Sequence, residues 1–148
     1  MTQDYMLVRD IDWFAKVGPY FMHFASNGSI IPIELNARKL SQTRRAVARV
    51  IENEHYIRIN ERYFDYLEES GRLIGTSRER YLISFGVFAS KGFYSFDYDK
   101  NEKRYILVAA PANGSENRML NEVELPILNG EAEWEKDCIS QIREMNGK

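Results

Sequence analysis

Residues that could act as a nucleophile or a general base are few in this chain. There is one cysteine, Cys138, and there are two histidines, His23 and His55. Cys138 lies in the apolar stripe of a predicted helix, close behind four acidic residues that would raise the pKa of a nearby thiol. His23 stands among apolar residues of a predicted strand, and no spacing unites the three. We therefore predict no catalytic residues and a protein that is not an enzyme.

Carboxylates two residues apart are the second chemical signal. Asp10 and Asp12 form one pair, and Asp97 and Asp99 form another. Such a pair on a strand or loop can hold Mg²⁺. However, aspartate is also common at helix starts and in hairpin turns, and neither pair has a third ligand at a recognisable distance. A lone cysteine excludes a multi-thiolate zinc site, and no phosphate-binding glycine loop is present. We expect no metal and no cofactor.

A basic helix is the main functional lead. Five cations fall within 12 residues that contain no acid: Arg38, Lys39, Arg44, Arg45 and Arg49. Helical spacing puts Arg38, Arg45 and Arg49 opposite the apolar side. Cations near a helix N-terminus oppose the helix dipole, so an anionic partner would explain an arrangement that stability does not favour. The alternative is an ordinary solvated face.

Tyrosines on a predicted hairpin are the second lead. Tyr94 and Tyr98 share one face of a strand with Phe96. Tyrosine and arginine are enriched at protein interfaces, so we assign both tyrosines to partner binding. The alternative is that a helix covers that face.

Composition limits the class of protein. The formal net charge is only −2, which argues against a dedicated nucleic-acid coat or a polybasic membrane anchor. Residues 38–80 nevertheless carry 10 basic and 7 acidic groups, whereas residues 81–148 carry 8 and 11. Apolar runs are far shorter than the roughly 20 residues that span a bilayer, and the start of the chain has no targeting pattern. We expect a soluble, cytoplasmic protein without a membrane partner.

The first half of the chain predicts three helices, a hairpin and a short strand. A short helix runs through Trp13 and Phe14 to Val17 and ends at Gly18-Pro19. A hairpin joins residues 20–25 and 30–35 around Asn27-Gly28, because Asn-Gly between apolar runs is a strong hairpin signal. A helix follows at 36–53, then a short strand at 55–60 and a helix that Asn60 caps.

The second half predicts a helix that begins near Thr76 and ends at Gly92. It is apolar nearly all round, which is typical of a buried helix, although a buried strand at 81–89 is the alternative. Residues 93–98 and 104–110 form a second hairpin. An edge strand follows at 123–128. The last helix opens at Asn129, and its apolar stripe comprises Trp134, Cys138, Ile142 and Met145.

Together these elements predict one α+β domain over residues 1–148, with two β-hairpins forming a small antiparallel sheet packed against three to five helices. We predict a small interaction or regulatory protein of the inhibitor, immunity or adaptor kind, which binds a protein partner through the Arg-rich helix and the Tyr-rich hairpin. Nucleic-acid binding through the basic helix 38–49 is the alternative, since the element order of 37–110 resembles a winged-helix domain. A homo-oligomer also fits. An enzyme with an unrecognised site near Asp10, Asp12 or His23 is the distant alternative.

Overall fold

Within residues 10–52, 56–73, 78–112 and 117–147, which the computed structural model describes, six strands form one mixed sheet and four helices pack around it. The strands are β1 (Asp12–Val17), β2 (Tyr20–Ala25), β3 (Arg58–Ile59), β4 (Tyr94–Asp99), β5 (Arg104–Ala110) and β6 (Ile127–Leu128). The helices are α1 (Ala37–Ala48), α2 (Glu61–Glu69), α3 (Arg78–Lys91) and α4 (Glu133–Asn146), with a short 3₁₀ helix at Arg118–Glu122. The predicted α+β class is confirmed.

The order of strands across the sheet is β3-β5-β4-β2-β1-β6. β1 and β2 form an antiparallel hairpin, and so do β4 and β5, but the two hairpins meet through a parallel pairing of β2 with β4. The prediction of an antiparallel sheet was therefore wrong in part. A parallel pair needs a long crossover connection, and residues 26–93 supply it with α1, α2 and α3.

Residues 12–17 form strand β1, so the helix predicted through Trp13, Phe14 and Val17 was wrong. Trp13 packs into the cluster on one face of the sheet, whereas Phe14 packs into a cluster on the other face. A strand with both faces covered has no polar alternation, so its sequence resembles a short apolar helix. Gly18, at φ +58°, starts the tight turn with Pro19 that closes the hairpin.

The hairpin predicted around Asn27-Gly28 was also wrong. Both residues have positive φ, as such a turn requires. However, β2 already pairs with β1 on one side and β4 on the other, so residues 30–35 have no edge of β2 to pair with. They run as irregular chain instead, with Ile31 buried in the core.

Helix α4 covers one face of the sheet, where Cys138 and Ile142 pack with Trp13 and Phe24. The apolar stripe predicted for this helix is confirmed, because Trp134 and Met145 pack against the same cluster. Helices α2 and α3 cover the other face. The sheet therefore lies between two helical layers.

Helix α3 confirms the helix predicted at 81–89 over the strand alternative, although it is not buried all round. Phe85 and Ala89 face the sheet, whereas Ile83 is 65% exposed and Val87 also reaches the surface. Gly92 ends the helix at φ +112°, where a Cβ would come within 2.9 Å of Leu120. Position 92 therefore requires glycine.

The remaining predicted elements are present in shorter form. α1 lies within the predicted helix 36–53, α2 follows the cap Asn60, and the strands predicted at 55–60 and 123–128 are the two-residue edges β3 and β6. His55 and Thr76 lie outside the described residues. In the described part of the chain, no helix has the length and apolar character needed to cross a bilayer.

Candidate functional site

Helix α1 is anchored at both ends. Asn36 caps its N-terminus, and the side-chain oxygen accepts from the backbone N–H groups of Arg38 and Lys39 at 2.9 and 3.2 Å. At the other end the buried Lys91 of α3 donates from Nζ to the carbonyl oxygen of Val47 at 3.0 Å. A cation at a helix C-terminus complements the helix dipole, and Lys91 adds its bond to the one that the same carbonyl accepts from the Val50 N–H at 3.0 Å. The helix that carries these cations is therefore held in place at both ends.

All five cations predicted as a partner site are exposed: Arg38, Lys39, Arg44, Arg45 and Arg49. None of them forms an ion pair with an acid of the described residues. Two of them, Lys39 and Arg44, lie near acidic side chains of other elements. Lys39 lines an apolar cleft of about 490 Å³ that Glu122 and Glu124 also line. The charge of Arg44 acts on Asp12.

Arg38, Arg45 and Arg49 remain, and we call them the basic face. They lie opposite the buried residues Leu40 and Val47 on α1. Helix α1 contains no acid, and its first turn, where an acid would favour stability, holds Arg38 instead. The basic face is thus a cluster of positive charge that α1 itself does not neutralise.

Tyr94 and Tyr98 do not lie with these cations. Both are half-buried and pack against the core cluster beneath α4. Tyr94 meets Tyr20 edge to face, and its hydroxyl accepts from the Asn146 amide at 3.3 Å. This is the arrangement in which a helix covers the tyrosine face. Tyr94 and Tyr98 therefore offer far less free surface than the basic face.

The hairpin that a winged-helix order would use as its wing lies in the middle of the sheet. β4 and β5 have β2 on one side and β3 on the other. The helix in the position of a recognition helix is α3, and its Phe85 and Ala89 are buried in the core. A recognition helix presents an exposed polar face to base edges. Helix α3 therefore does not have the position in the fold that a recognition helix requires.

A polar cavity of about 590 Å³ lies between the sheet and the helices α2 and α3. One wall belongs to the sheet and the chain around it: Asp10, Asp12, His23, Ala25, Asn27 and Asp97. The other wall comes from the helices and the turn after α2: Leu67, Arg72, Leu73, Arg80, Tyr81, Ser84 and Phe85. Asp12, Ala25 and Asp97 form one row across the sheet, and the small Ala25 leaves space between the two carboxylates.

His23 holds Asp12 in place. Its Nε2 is 2.9 Å from Asp12 Oδ1, and its Nδ1 is 2.6 Å from the Ser95 hydroxyl. The ring is stacked on Phe88 and fully buried, which lowers the pKa of His23 despite the opposing effect of Asp12. The neutral ring therefore accepts from Ser95 and donates to Asp12. Because Ser95 is fully buried, its hydroxyl orients the imidazole and is not exposed to attack a substrate.

The two carboxylates of this row differ in their proton affinity. Burial alone would raise the pKa of Asp12, but its hydrogen bond to His23 and the charge of Arg44 bring it below the ordinary value. For Asp97, burial raises the pKa to about 7, and a hydrogen bond of 2.5 Å from the Tyr81 hydroxyl opposes this rise only in part. At neutral pH Asp12 is ionised, whereas Asp97 is close to half protonated.

Asp99, the other half of the second carboxylate pair, is used differently. It is fully buried and accepts from the Tyr63 hydroxyl at 2.9 Å and from Arg72 Nη1 at 2.7 Å. Despite burial, these bonds and a backbone bond from Glu102 lower the pKa of Asp99. Over the described residues, no three His, Cys, Asp or Glu side chains are arranged to hold a metal ion.

Cys138 is 1% exposed, and burial raises the pKa of its thiol, with a further contribution from the Asp137 charge. The predicted core position of this residue is confirmed. A thiol in this position is protonated at neutral pH and is a poor nucleophile.

The polar cavity joins residues that the sequence analysis considered separately. Asp10, Asp12 and His23 lie more than 70 residues before Asp97 in the sequence, and only the parallel pairing of β2 with β4 unites them. Arg72, Arg80 and Tyr81 were missed. No local pattern marks them, because their place on the wall depends on how α2 and α3 pack on the sheet.

Comparisons with known proteins assign no family to these features. No family model matches the chain, and neither the curated proteins nor the solved structures contain a significant match.

Proposed function

We propose that this chain is a small interaction protein that binds an acidic surface of a protein partner through the basic face. The observation that carries the proposal is the exposed trio Arg38, Arg45 and Arg49, which has no acidic counterpart within α1. Arginine binds carboxylates bidentately, and a rigid helix holds the guanidinium groups in a fixed pattern. Complementary charge of this kind speeds association and selects the partner. An inhibitor or adaptor role fits such a surface.

Capture of the partner by the wild-type chain and by a variant without the basic face tests this function. The chain and a variant with Arg38→Gln, Arg45→Gln and Arg49→Gln serve as baits in extracts of the source organism, and captured proteins are quantified by mass spectrometry. We expect a partner with an acidic surface that the wild-type chain retains and the variant loses. Three lost charge pairs weaken binding by at least about tenfold, and added salt weakens the wild-type complex in the same direction.

The matched control replaces two exposed arginines on other elements, Arg118→Gln and Arg143→Gln. This control should retain the partner as the wild type does. Equal capture by wild type and triple variant would show that the basic face is not the binding surface. A titration with a fluorescent DNA duplex separates the nucleic-acid alternative: tight, salt-dependent binding that only the triple variant loses would replace the protein partner with nucleic acid.

A further inference from the structure

Charges of opposite sign line opposite walls of the polar cavity. The sheet wall carries three carboxyl groups, from Asp10, Asp12 and Asp97. The helical wall carries two guanidinium groups, from Arg72 and Arg80. About 590 Å³ of space lies between the two walls.

Hydrogen bonds fix the charged groups in their positions. Asp12 is held by His23, and Asp97 by Tyr81, through one carboxylate oxygen each. Arg72 is held from behind, because its Nη1 donates to Asp99, which is not part of the cavity wall. Polar groups with locked geometry are what a site needs to recognise a ligand without a large loss of conformational freedom.

Apolar side chains complete the helical wall. Leu67, Leu73 and Phe85 line the cavity next to the arginines, and the first two come from α2 and the turn that follows it. Cavities of about 300–1,000 Å³ with apolar walls and a few convergent polar groups are typical ligand sites. The volume is therefore ample for one small molecule that carries both charges and an apolar part.

We propose that the polar cavity binds a free amino acid with an apolar side chain. The ammonium group would lie against the carboxyl groups of the sheet wall, and the carboxylate against Arg72 and Arg80. The side chain would pack on Leu67, Leu73 and Phe85. This site is separate from the basic face, so it adds a small-molecule ligand to the proposed macromolecular partner.

Isothermal titration calorimetry with L-leucine and L-phenylalanine tests the proposal. We expect saturable binding of at least one of them, with Kd between about 10 µM and about 1 mM for a ligand of this size. L-Leucinamide and L-phenylalaninamide lack the carboxylate, and the N-acetyl derivatives lack the ammonium group. Each should bind at least about tenfold more weakly, because the ligand loses its charged contact with one of the two walls. No saturable binding of either amino acid, or equal binding of the derivatives, would overturn the proposal.

Two single variants locate the ligand. Asp97→Asn and Arg80→Gln should each weaken binding at least about tenfold. Asp65→Asn and Arg143→Gln are the matched controls, because they remove one exposed charge of each sign outside the cavity. Equal affinity of all four variants and the wild type would place the ligand elsewhere and refute the site. Circular dichroism of each variant verifies that the fold is retained.

The pH dependence of binding provides a second readout. An ammonium group binds the ionised form of Asp97, whose pKa is about 7. Affinity of the wild type should therefore rise by roughly tenfold between about pH 6 and about pH 8, while Asp97→Asn shows no such rise. A wild-type affinity that falls or stays constant over this range would contradict the assigned role of the sheet wall.

Discussion

Asp97 lies on the sheet wall of the polar cavity, where burial, together with the charges of Asp10 and Asp99, raises its pKa to about 7. In the unfolded chain an aspartate has a pKa near 3.9. Between about pH 4 and about pH 7 the folded protein therefore holds a proton that the unfolded chain has released. By linkage, this group lowers the free energy of unfolding as pH rises through that range.

Asp97→Asn removes this pH dependence and keeps an acceptor for the Tyr81 hydroxyl. We expect the free energy of unfolding of the variant, relative to wild type, to rise by roughly 1–3 kcal/mol between about pH 5 and about pH 8. Urea denaturation at both pH values measures it. Asp65→Asn, an exposed aspartate of α2, should show little change. A constant difference between Asp97→Asn and wild type at both pH values would contradict the raised pKa.

At the residue scale, the sequence predicts burial better than function. Cys138 was correctly placed in the core, because its spacing with Trp134 and Ile142 matches a helix face. The tyrosine face of β4 could not be assigned, since a strand pattern shows which residues share a face but not what covers it. The polar cavity was out of reach because its two walls come from distant parts of the chain.

At the scale of elements, helix α3 shows the limit of amphipathic analysis. Its apolar residues surround the helix, but only the side with Phe85 and Ala89 faces the sheet. Ile83 remains exposed, although the pattern predicted a helix buried on all sides. Hydrophobicity indicates which residues can be buried, and the number of neighbouring elements decides which of them are.

Two substitutions on α3 measure this difference. Phe85→Ala should lower the free energy of unfolding by about 3–5 kcal/mol, because it leaves a cavity between the helix and the sheet. Ile83→Lys should change it by no more than about 0.5 kcal/mol, since the side chain is 65% exposed. Chemical denaturation of both variants decides the matter. A large loss for Ile83→Lys would mean that a further contact covers this side of α3.

Helix boundaries were more predictable than strand partners. Asn60 and Gly92 mark helix ends through capping and positive φ, which are local properties. The choice between Gly18-Pro19 and Asn27-Gly28 as the hairpin turn depended on which strand pairs with β2. That pairing links residues 22–25 with 94–97, so no window of neighbouring residues contains it.

At the scale of the whole molecule, the two hairpins depend on each other. β2 and β4 lie at the centre of the sheet, and the helices of the crossover pack on strands from both hairpins. A fragment of residues 1–92 would keep β1, β2 and the crossover helices but lack β4 and β5. The buried faces of α2 and α3 would then have lost most of the sheet that covers them.

We expect the fragment 1–92 to lack a cooperative thermal transition, whereas the chain of residues 1–148 should unfold in one step. Thermal melting followed by circular dichroism measures the cooperativity of unfolding, and the dispersion of amide proton signals in NMR spectra shows whether the fragment is folded. The fragment with residues 93–112 restored regains β4 and β5 and should recover part of the transition. Cooperative unfolding of 1–92 by itself would show that the crossover forms an independent unit.

The parallel pairing of β2 with β4 also delays the completion of the sheet during translation. About 70 residues separate the end of β2 at Ala25 from the start of β4 at Tyr94, which a ribosome adds in roughly 3–14 s. Throughout that interval the nascent β1–β2 hairpin presents one edge of β2 without its final neighbour. An open edge invites pairing with other chains, so β2 is exposed to aggregation during these seconds of translation.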